Sequence, residues 1–341
     1  MKAYRLAAAD EAGLVDLERP VPAPGDVLVR VAANGVCHTD VTIIATPEAL
    51  PQVQLPLTLG HEVTGWVEEL GPGVAGVVPG TAVGVYSVQG CGQCRACTRG
   101  EDNACHAGLP ASLGVDRDGG LAHYVSVPAP NLVALGPLDP VAAAPLMDAG
   151  LTSYRAVRAA AAHLRPGATC VVIGVGGLGH LAVQIVGALT PARVVAVDRE
   201  PDRLAHAETL GAAHVVEATG DAVERVRTGI DGGADAVLDF VGDDETTALA
   251  GRVVAPGGTV VLVGMGMGSL SLRAGISGDV PPEVSVLTTV YGSRADLRDV
   301  VALAGSGAIE ATVTRFALDD IDRAIAAVTT HAVRGRAVVI P

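Results

Sequence analysis

The sequence predicts two domains of unlike class: a doubly wound α/β domain built on a parallel sheet, and a β-rich, barrel-like domain. Three observations carry this. Roughly the first 140 residues hold short β-like runs broken by Gly and Pro. From residue 168, apolar runs alternate with helix-length segments. A glycine-rich turn, GVGGLG at 174–179, stands between one such run and a helix-like stretch. At 341 residues the chain is long enough to build two cores.

In the first domain the strand candidates are DVLVRVAANG, VTGWVEELGPGV, TAVGVY and LAHYVSVPAP. In the second they are ATCVVIG, ARVVAVD, AAHVVEA, ADAVLDFVG, GGTVVLVG and VSVLTTVYG, with helix-length segments such as 201–210 and 243–252 between them. Apolar runs of that length separated by helices describe a parallel sheet covered on both faces. The tail adds a helix-like stretch at 319–331 and an apolar, strand-like RAVVIP that is expected to return to the first domain. The expected division is 1–148, 149–289 and 290–341. No fixed-period repeat or low-complexity segment interrupts it.

Lys plus Arg number 23 against 37 Asp plus Glu, a net charge of −14, which argues against nucleic-acid or anionic-membrane partners. Apolar residues make up 49% of the chain and aromatics only 2%, so any pocket must be lined mainly by Val, Leu, Ala and Ile. The sole lysine is Lys2, which excludes chemistry that needs a buried catalytic lysine. The first residues turn acidic before an apolar segment can form, so no secretory signal is expected and the protein reads as cytoplasmic. Residues 171–189 approach membrane-span length, but Gly174, Gly176, Gly177 and Gly179 make a strand, tight turn and helix the better reading.

Four of the six cysteines lie between residues 91 and 105, as Cys91, Cys94, Cys97 and Cys105 with spacing C-x2-C-x2-C-x7-C. Four thiolates so spaced on a loop can close a tetrahedral shell around zinc, leaving no position for substrate. The shell is therefore expected to be structural. Disulfides and an iron–sulfur cluster are the alternatives, and reducing conditions in the cytoplasm weigh against the first.

A chemical site is then to be sought elsewhere, at Cys37-His38-Thr39-Asp40 and Gly60-His61-Glu62. The stretch GHEVTGWVEELGPGV fits G-H-E-x2-G-x5-G-x2-V throughout. Together with the thiol loop, it resembles the zinc-containing alcohol dehydrogenases of the medium-chain dehydrogenase/reductase family, over essentially the whole chain. The resemblance implies a GroES-like catalytic domain and a Rossmann domain. It makes Cys37, His61 and Asp148 the ligands of a catalytic zinc, so that with the thiol shell there are two zincs per chain. Many members carry cysteine where this chain has Asp148, and zinc accepts carboxylate oxygen as well. By the same resemblance Glu62 stands behind the metal and can transiently ligate it, Asp40 orients His61, and Thr39 passes the substrate proton onward. The family's usual final acceptor is replaced by Thr42, which leaves His38 as a candidate for that step. The likeness also implies a homotetramer.

Gly174, Gly176 and Gly179, with Gly177 and Leu178 between them, form G-x-G-x-x-G, and Asp198 ends the next strand-like run 19 residues beyond Gly179. Such glycines let the backbone approach a pyrophosphate at a helix N-terminus, and the carboxylate binds ribose hydroxyls, which points to NAD. Arg199 and Arg203 complicate this, because an arginine just past that strand can hold a 2′-phosphate. The resemblance adds Phe240, Val241, Val263 and Gly264 as cofactor contacts and Arg334 as a pyrophosphate-binding arginine. The function it implies is hydride transfer between an alcohol, most simply a secondary one, and NAD+, or reduction of the ketone or aldehyde. Polyol, sugar or threonine dehydrogenases share these features. A non-catalytic, nucleotide-sensing protein is the alternative of another class. The short-chain dehydrogenases are excluded, since their Tyr-x3-Lys pair cannot be built around Lys2.

Overall fold

The six apolar runs after residue 168 form one sheet, with strands Thr169–Ile173, Arg193–Asp198, His214–Glu217, Ala234–Asp239, Val254–Leu262 and Ser285–Thr288. Counted in chain order they lie side by side as 3-2-1-4-5-6, and every neighbouring pair is parallel. That is the strand order of a dinucleotide-binding Rossmann sheet, with its switch point beside the first strand. Alternation along each strand sends side chains to both faces. Val171, Ile173, Val195 and Val197 pack with Val226 and Val253, from the helices Ala222–Gly229 and Asp244–Val253. Ala196, one position out of step, packs instead with Ala207 of the helix Pro201–Thr209. With both faces covered, the strand Thr169–Ile173 is buried at every position, which explains its unbroken apolar sequence.

This computed structural model describes residues 1–50, 52–230, 232–272 and 280–341. The α/β unit comprises Thr152–Gly292 and Gly307–Glu310; a second compact unit comprises Met1–Leu151, Ser293–Ser306 and Ala311–Pro341. The hub of this β-rich unit is the long strand Asp26–Val36, which pairs antiparallel with Glu62–Leu70, Tyr124–Pro128 and Arg336–Ile340. The last of these pairs in parallel with Val313–Ala317, so the end of the chain lies in the same sheet as Asp26–Val36. Val27, Val29, Val63, Val67, Val83 and Val125 form one core of this unit. Tyr4, Leu6, Ile43, Leu59, Ile321 and Val339 form another.

Two features of the β-rich unit position functional groups. Asp26–Val36 runs directly into the helix His38–Ala45, with Cys37 at the junction, and Gly35 lies opposite Glu62 in the sheet register. Among the described residues, no helix is long and apolar enough to cross a membrane.

Candidate active site

Cys37 is the N-cap of the helix His38–Ala45, and its N–H donates to Asp40 Oδ2 at 2.8 Å. The turn that this bond closes fixes the thiol at the strand end and buries the Asp40 carboxylate beneath it. His61 enters the strand Glu62–Leu70, and Asp148 ends the 3-10 turn Ala144–Met147. These stretches bring the donor atoms of Cys37, His61 and Asp148 within 4.8 Å of one another. Asp148 Oδ2 is 4.0 Å from Cys37 Sγ and 3.7 Å from His61 Nε2. On the far side of the ring, His61 Nδ1 is 3.5 Å from Asp40 Oδ1. The Thr39 hydroxyl lies 3.5 Å from Cys37 Sγ.

Glu62 lies fully buried over Gly35, where a Cβ would stand 1.7 Å from its Oε2. Only glycine leaves room for that carboxylate. Arg336, also buried, donates to Glu62 Oε1 at 2.5 Å and to Oε2 at 3.1 Å, and its Nη2 is 3.6 Å from Asp148 Oδ2. Burial raises the Glu62 carboxyl to about 7 against the pull of Arg336. Burial also disfavours a charged Asp148, but the hydrogen bond and charge of His61 more than reverse this and lower it. His61 is held well above the usual imidazole range: the Asp40 charge and the bond to Asp148 overcome its desolvation. Glu62 and Asp148 thus share one buried guanidinium, Asp40 lies across the His61 ring, and the imidazolium stands in as a second positive charge. A sulfur, a nitrogen and an oxygen at this spacing, with surplus negative charge, suit a divalent zinc with bonds of about 2.0–2.3 Å. The contact from Asp40 to the far ring nitrogen is the usual support for a ligating histidine.

The four loop cysteines form a second group within 4.8 Å, with Cys91 Sγ 4.0 Å from Cys97 Sγ. That separation is about twice a disulfide bond length. Backbone N–H groups point at the sulfurs: Cys94 N donates to Cys91 Sγ at 3.4 Å, and Cys97 N and His106 N donate to Cys94 Sγ at 3.5 and 3.3 Å. Those two donors lower the Cys94 thiol to about 6, whereas burial pushes Cys97 up to about 12. A shell of thiolates held by peptide donors fits a closed zinc site.

In the α/β unit, Gly174 takes φ +84°, and a Cβ at Gly179 would lie 1.9 Å from Gly174 O, so turn and helix close only with glycine at both positions. A Cβ at Gly176 would meet nothing closer than Arg203 Nη1 at 3.7 Å, so packing does not demand its glycine, and the backbone there is open to a ligand. Asp198 Oδ2 accepts from Val175 N at 2.7 Å and Oδ1 from Glu200 N at 3.0 Å. Arg199 is exposed and Arg203 stands 3.9 Å from Asp198. Asp239 Oδ1 receives the N–H groups of Val241 and Gly242 at 2.9 and 3.0 Å, and its carbonyl receives those of Val263 and Gly264 at 2.9 and 3.1 Å. One buried residue therefore ties together the segments holding Phe240, Val241, Val263 and Gly264.

Sequence reasoning missed Arg336, Gly35 and Asp239. An arginine opening an otherwise apolar terminal strand was the available signal for the first. Arg334, singled out instead, is exposed two residues earlier, and exposed His38 stacks on His331 with ring centroids 5.0 Å apart.

A Rossmann sheet and a sulfur–nitrogen–oxygen metal pocket in one chain define a metal-dependent dehydrogenase as a class. Residues 23–137 match the alcohol dehydrogenase GroES-like domain and residues 177–306 the zinc-binding dehydrogenase domain. The chain is 36% identical to an NAD-dependent alcohol dehydrogenase of Sulfurisphaera tokodaii, over 96% of each chain. It is 37% identical to a D-arabinose 1-dehydrogenase (NADP(+)) of Saccharolobus solfataricus, over 96% of this chain and 93% of that one. The crystal structure of the alcohol dehydrogenase of the archaeon Aeropyrum pernix matches with a TM-score of 0.92 at 36% identity, over 100% of both chains. The chain belongs to the zinc-containing alcohol dehydrogenases of the medium-chain dehydrogenase/reductase family.

Proposed function

We propose that the protein transfers hydride between a secondary alcohol and NAD+, and in reverse reduces the ketone or aldehyde with NADH. The observation that carries this is the convergence of Cys37, His61 and Asp148 within 4.8 Å, in a chain that also carries the GVGGLG turn and Asp198. In this reading 1–148 and 290–341 are catalytic and 149–289 bind the cofactor. Zinc held by Cys37, His61 and Asp148 supplies Lewis-acid polarisation of the substrate oxygen, and NAD+ supplies the hydride acceptor. Three protein donors leave the coordination open to substrate, whereas a second zinc closed in by Cys91, Cys94, Cys97 and Cys105 has only a structural part.

The remaining roles belong to the chain's own side chains. Thr39 Oγ1 accepts the substrate hydroxyl proton and passes it towards the ribose, with His38 as the final acceptor. Asp40 keeps His61 Nδ1 protonated, so Nε2 is left as the donor to metal. Glu62, paired with Arg336, backs the pocket from behind the metal ligands, within reach of transient ligation. Gly174, Gly176, Gly177, Leu178 and Gly179 cradle the pyrophosphate, with Arg334 adding a positive charge, and Asp198 takes the ribose hydroxyls. Phe240, Val241, Val263 and Gly264 line the nucleotide's path.

With so few aromatics in the chain, the pocket is aliphatic and suits a medium-sized ketone. The D-arabinose dehydrogenase relative at 37% identity favours, as the second reading, a polyol or sugar substrate. A panel of alcohols, ketones, polyols and aldoses assayed with both cofactors separates the two. Highest kcat/KM on apolar secondary alcohols with NAD+ supports the first, and highest kcat/KM on sugars moves the assignment to the second. The same reading makes the protein a cytoplasmic tetramer, which analytical ultracentrifugation tests.

A further inference from the structure

The geometry points to Glu245, assisted by Asp243, as a determinant of cofactor selectivity: it holds the Arg199 guanidinium against the neighbouring helix, so that this arginine does not serve a 2′-phosphate. The inference rests on the reading of Asp198 as the ribose-binding carboxylate. Arg199 follows Asp198 directly, the position from which an arginine can grip the phosphate of NADP(H). Its Nη2 instead lies 2.5 Å from Glu245 Oε2 and 3.9 Å from Asp243 Oδ2.

Asp243 is itself fixed. It caps the helix Asp244–Val253, its side chain accepting from Thr246 N at 2.8 Å while its own N–H donates to the Thr246 hydroxyl at 3.1 Å. Asp198 is fixed too, because Val175 N and Glu200 N each hold one of its oxygens, and each oxygen keeps a lone pair for a ribose hydroxyl. The arrangement therefore sets three carboxylates, Asp198, Asp243 and Glu245, against two guanidinium groups, Arg199 and Arg203. A 2′-phosphate entering beside Asp198 meets net negative charge, and both arginines that could offset it face carboxylates already, Arg203 that of Asp198 at 3.9 Å and Arg199 that of Glu245 at 2.5 Å. Removing the Glu245 charge equalises the signs and frees Arg199 to turn towards the phosphate.

Arg199 and Glu245 are 61% and 81% exposed, so the effect is modest and screened by salt. Fluorescence titration of NADH and NADPH at low ionic strength tests it, on wild type, Glu245→Gln, Glu245→Gln/Arg199→Ala and Asp198→Gly, and on Glu245→Gln in the Asp198→Gly background, where NADPH binding is strengthened. Glu245→Gln is expected to lower the Kd for NADPH roughly two- to fivefold, leave that for NADH unchanged, and lose its gain in the Arg199→Ala double variant. An unchanged Kd for NADPH in both backgrounds, or a gain that survives Arg199→Ala, overturns the inference. Failure of the underlying reading has a separate signature: Asp198→Gly would then leave the NADH-to-NADPH ratio where it was.

Discussion

The two clusters of side chains that could hold a metal are assembled by opposite routes. Cys91, Cys94, Cys97 and Cys105 lie within one short loop, and the N–H groups that meet their sulfurs belong to that loop. Cys37, His61 and Asp148 come from three separate stretches, and the charge beside them is met by Arg336, 274 residues along the chain from its partner Glu62. A cluster made by one loop gives up structure first when it loses its metal, beginning with that loop. A cluster assembled by a whole sheet has its geometry guaranteed by the fold, so loss of a ligand there removes chemistry before it removes structure.

The comparison breaks most easily at the assembled site. Cys37→Ser or His61→Ala is expected to cut kcat roughly a thousandfold or more, equivalent to several kcal/mol of lost Lewis-acid assistance, while NADH binding and Tm stay near wild type. Steady-state kinetics beside a fluorescence titration checks this.

Arg336→Met should unsettle the same site through stability instead. It leaves Glu62 buried without its partner, at a cost of about 3–5 kcal/mol in chemical denaturation. Glu62 also predicts a pH dependence in metal-free protein. Its folded carboxyl is raised from the ordinary 4.5 to about 7, so the folded state binds the extra proton between those values. Its contribution is therefore complete below 4.5 and lost as the pH rises through about 7. Denaturation curves across that window should show the fall, and Glu62→Gln should remove the Glu62 share of it while leaving the part that His61, also raised, adds towards higher pH.

A smaller effect is expected from Asp40→Asn, which keeps the bond to Cys37 N but weakens the hold on His61 Nδ1: roughly 10- to 100-fold in metal affinity, read by competition with a chelator. The mildest contrast lies in the loop. After metal removal Cys94, held at about 6 by peptide donors, should alkylate increasingly as the pH passes that value, well before Cys97, which burial raises to about 12. Peptide mapping after iodoacetamide treatment resolves the order.

How much of this was legible in the sequence follows the same division. The thiol loop and the GVGGLG turn are local, because each glycine or cysteine answers to neighbours a few residues away, as Gly179 does to Gly174 O at 1.9 Å. The alternation of apolar runs and helices likewise announced the parallel sheet. Arg336 was not legible, because its partner Glu62 becomes a neighbour only when the terminal strand Arg336–Ile340 pairs with Asp26–Val36. Gly35 looked like any strand glycine until the register set it opposite Glu62. Asp239 was not legible either, because its hold on Val241, Gly242, Val263 and Gly264 needs two strands side by side.

The central claim is that the two clusters hold metal for different purposes, and metal content measured beside turnover and Tm tests it most directly. Elemental analysis of wild type, Cys37→Ser and Cys94→Ser should give two zincs, one and one per chain. Cys37→Ser should be stable and inactive, and Cys94→Ser should melt earlier but keep its kcat at temperatures where it remains folded. A single zinc in wild type, or a Cys94→Ser variant that keeps the wild-type Tm and loses turnover, would contradict the account.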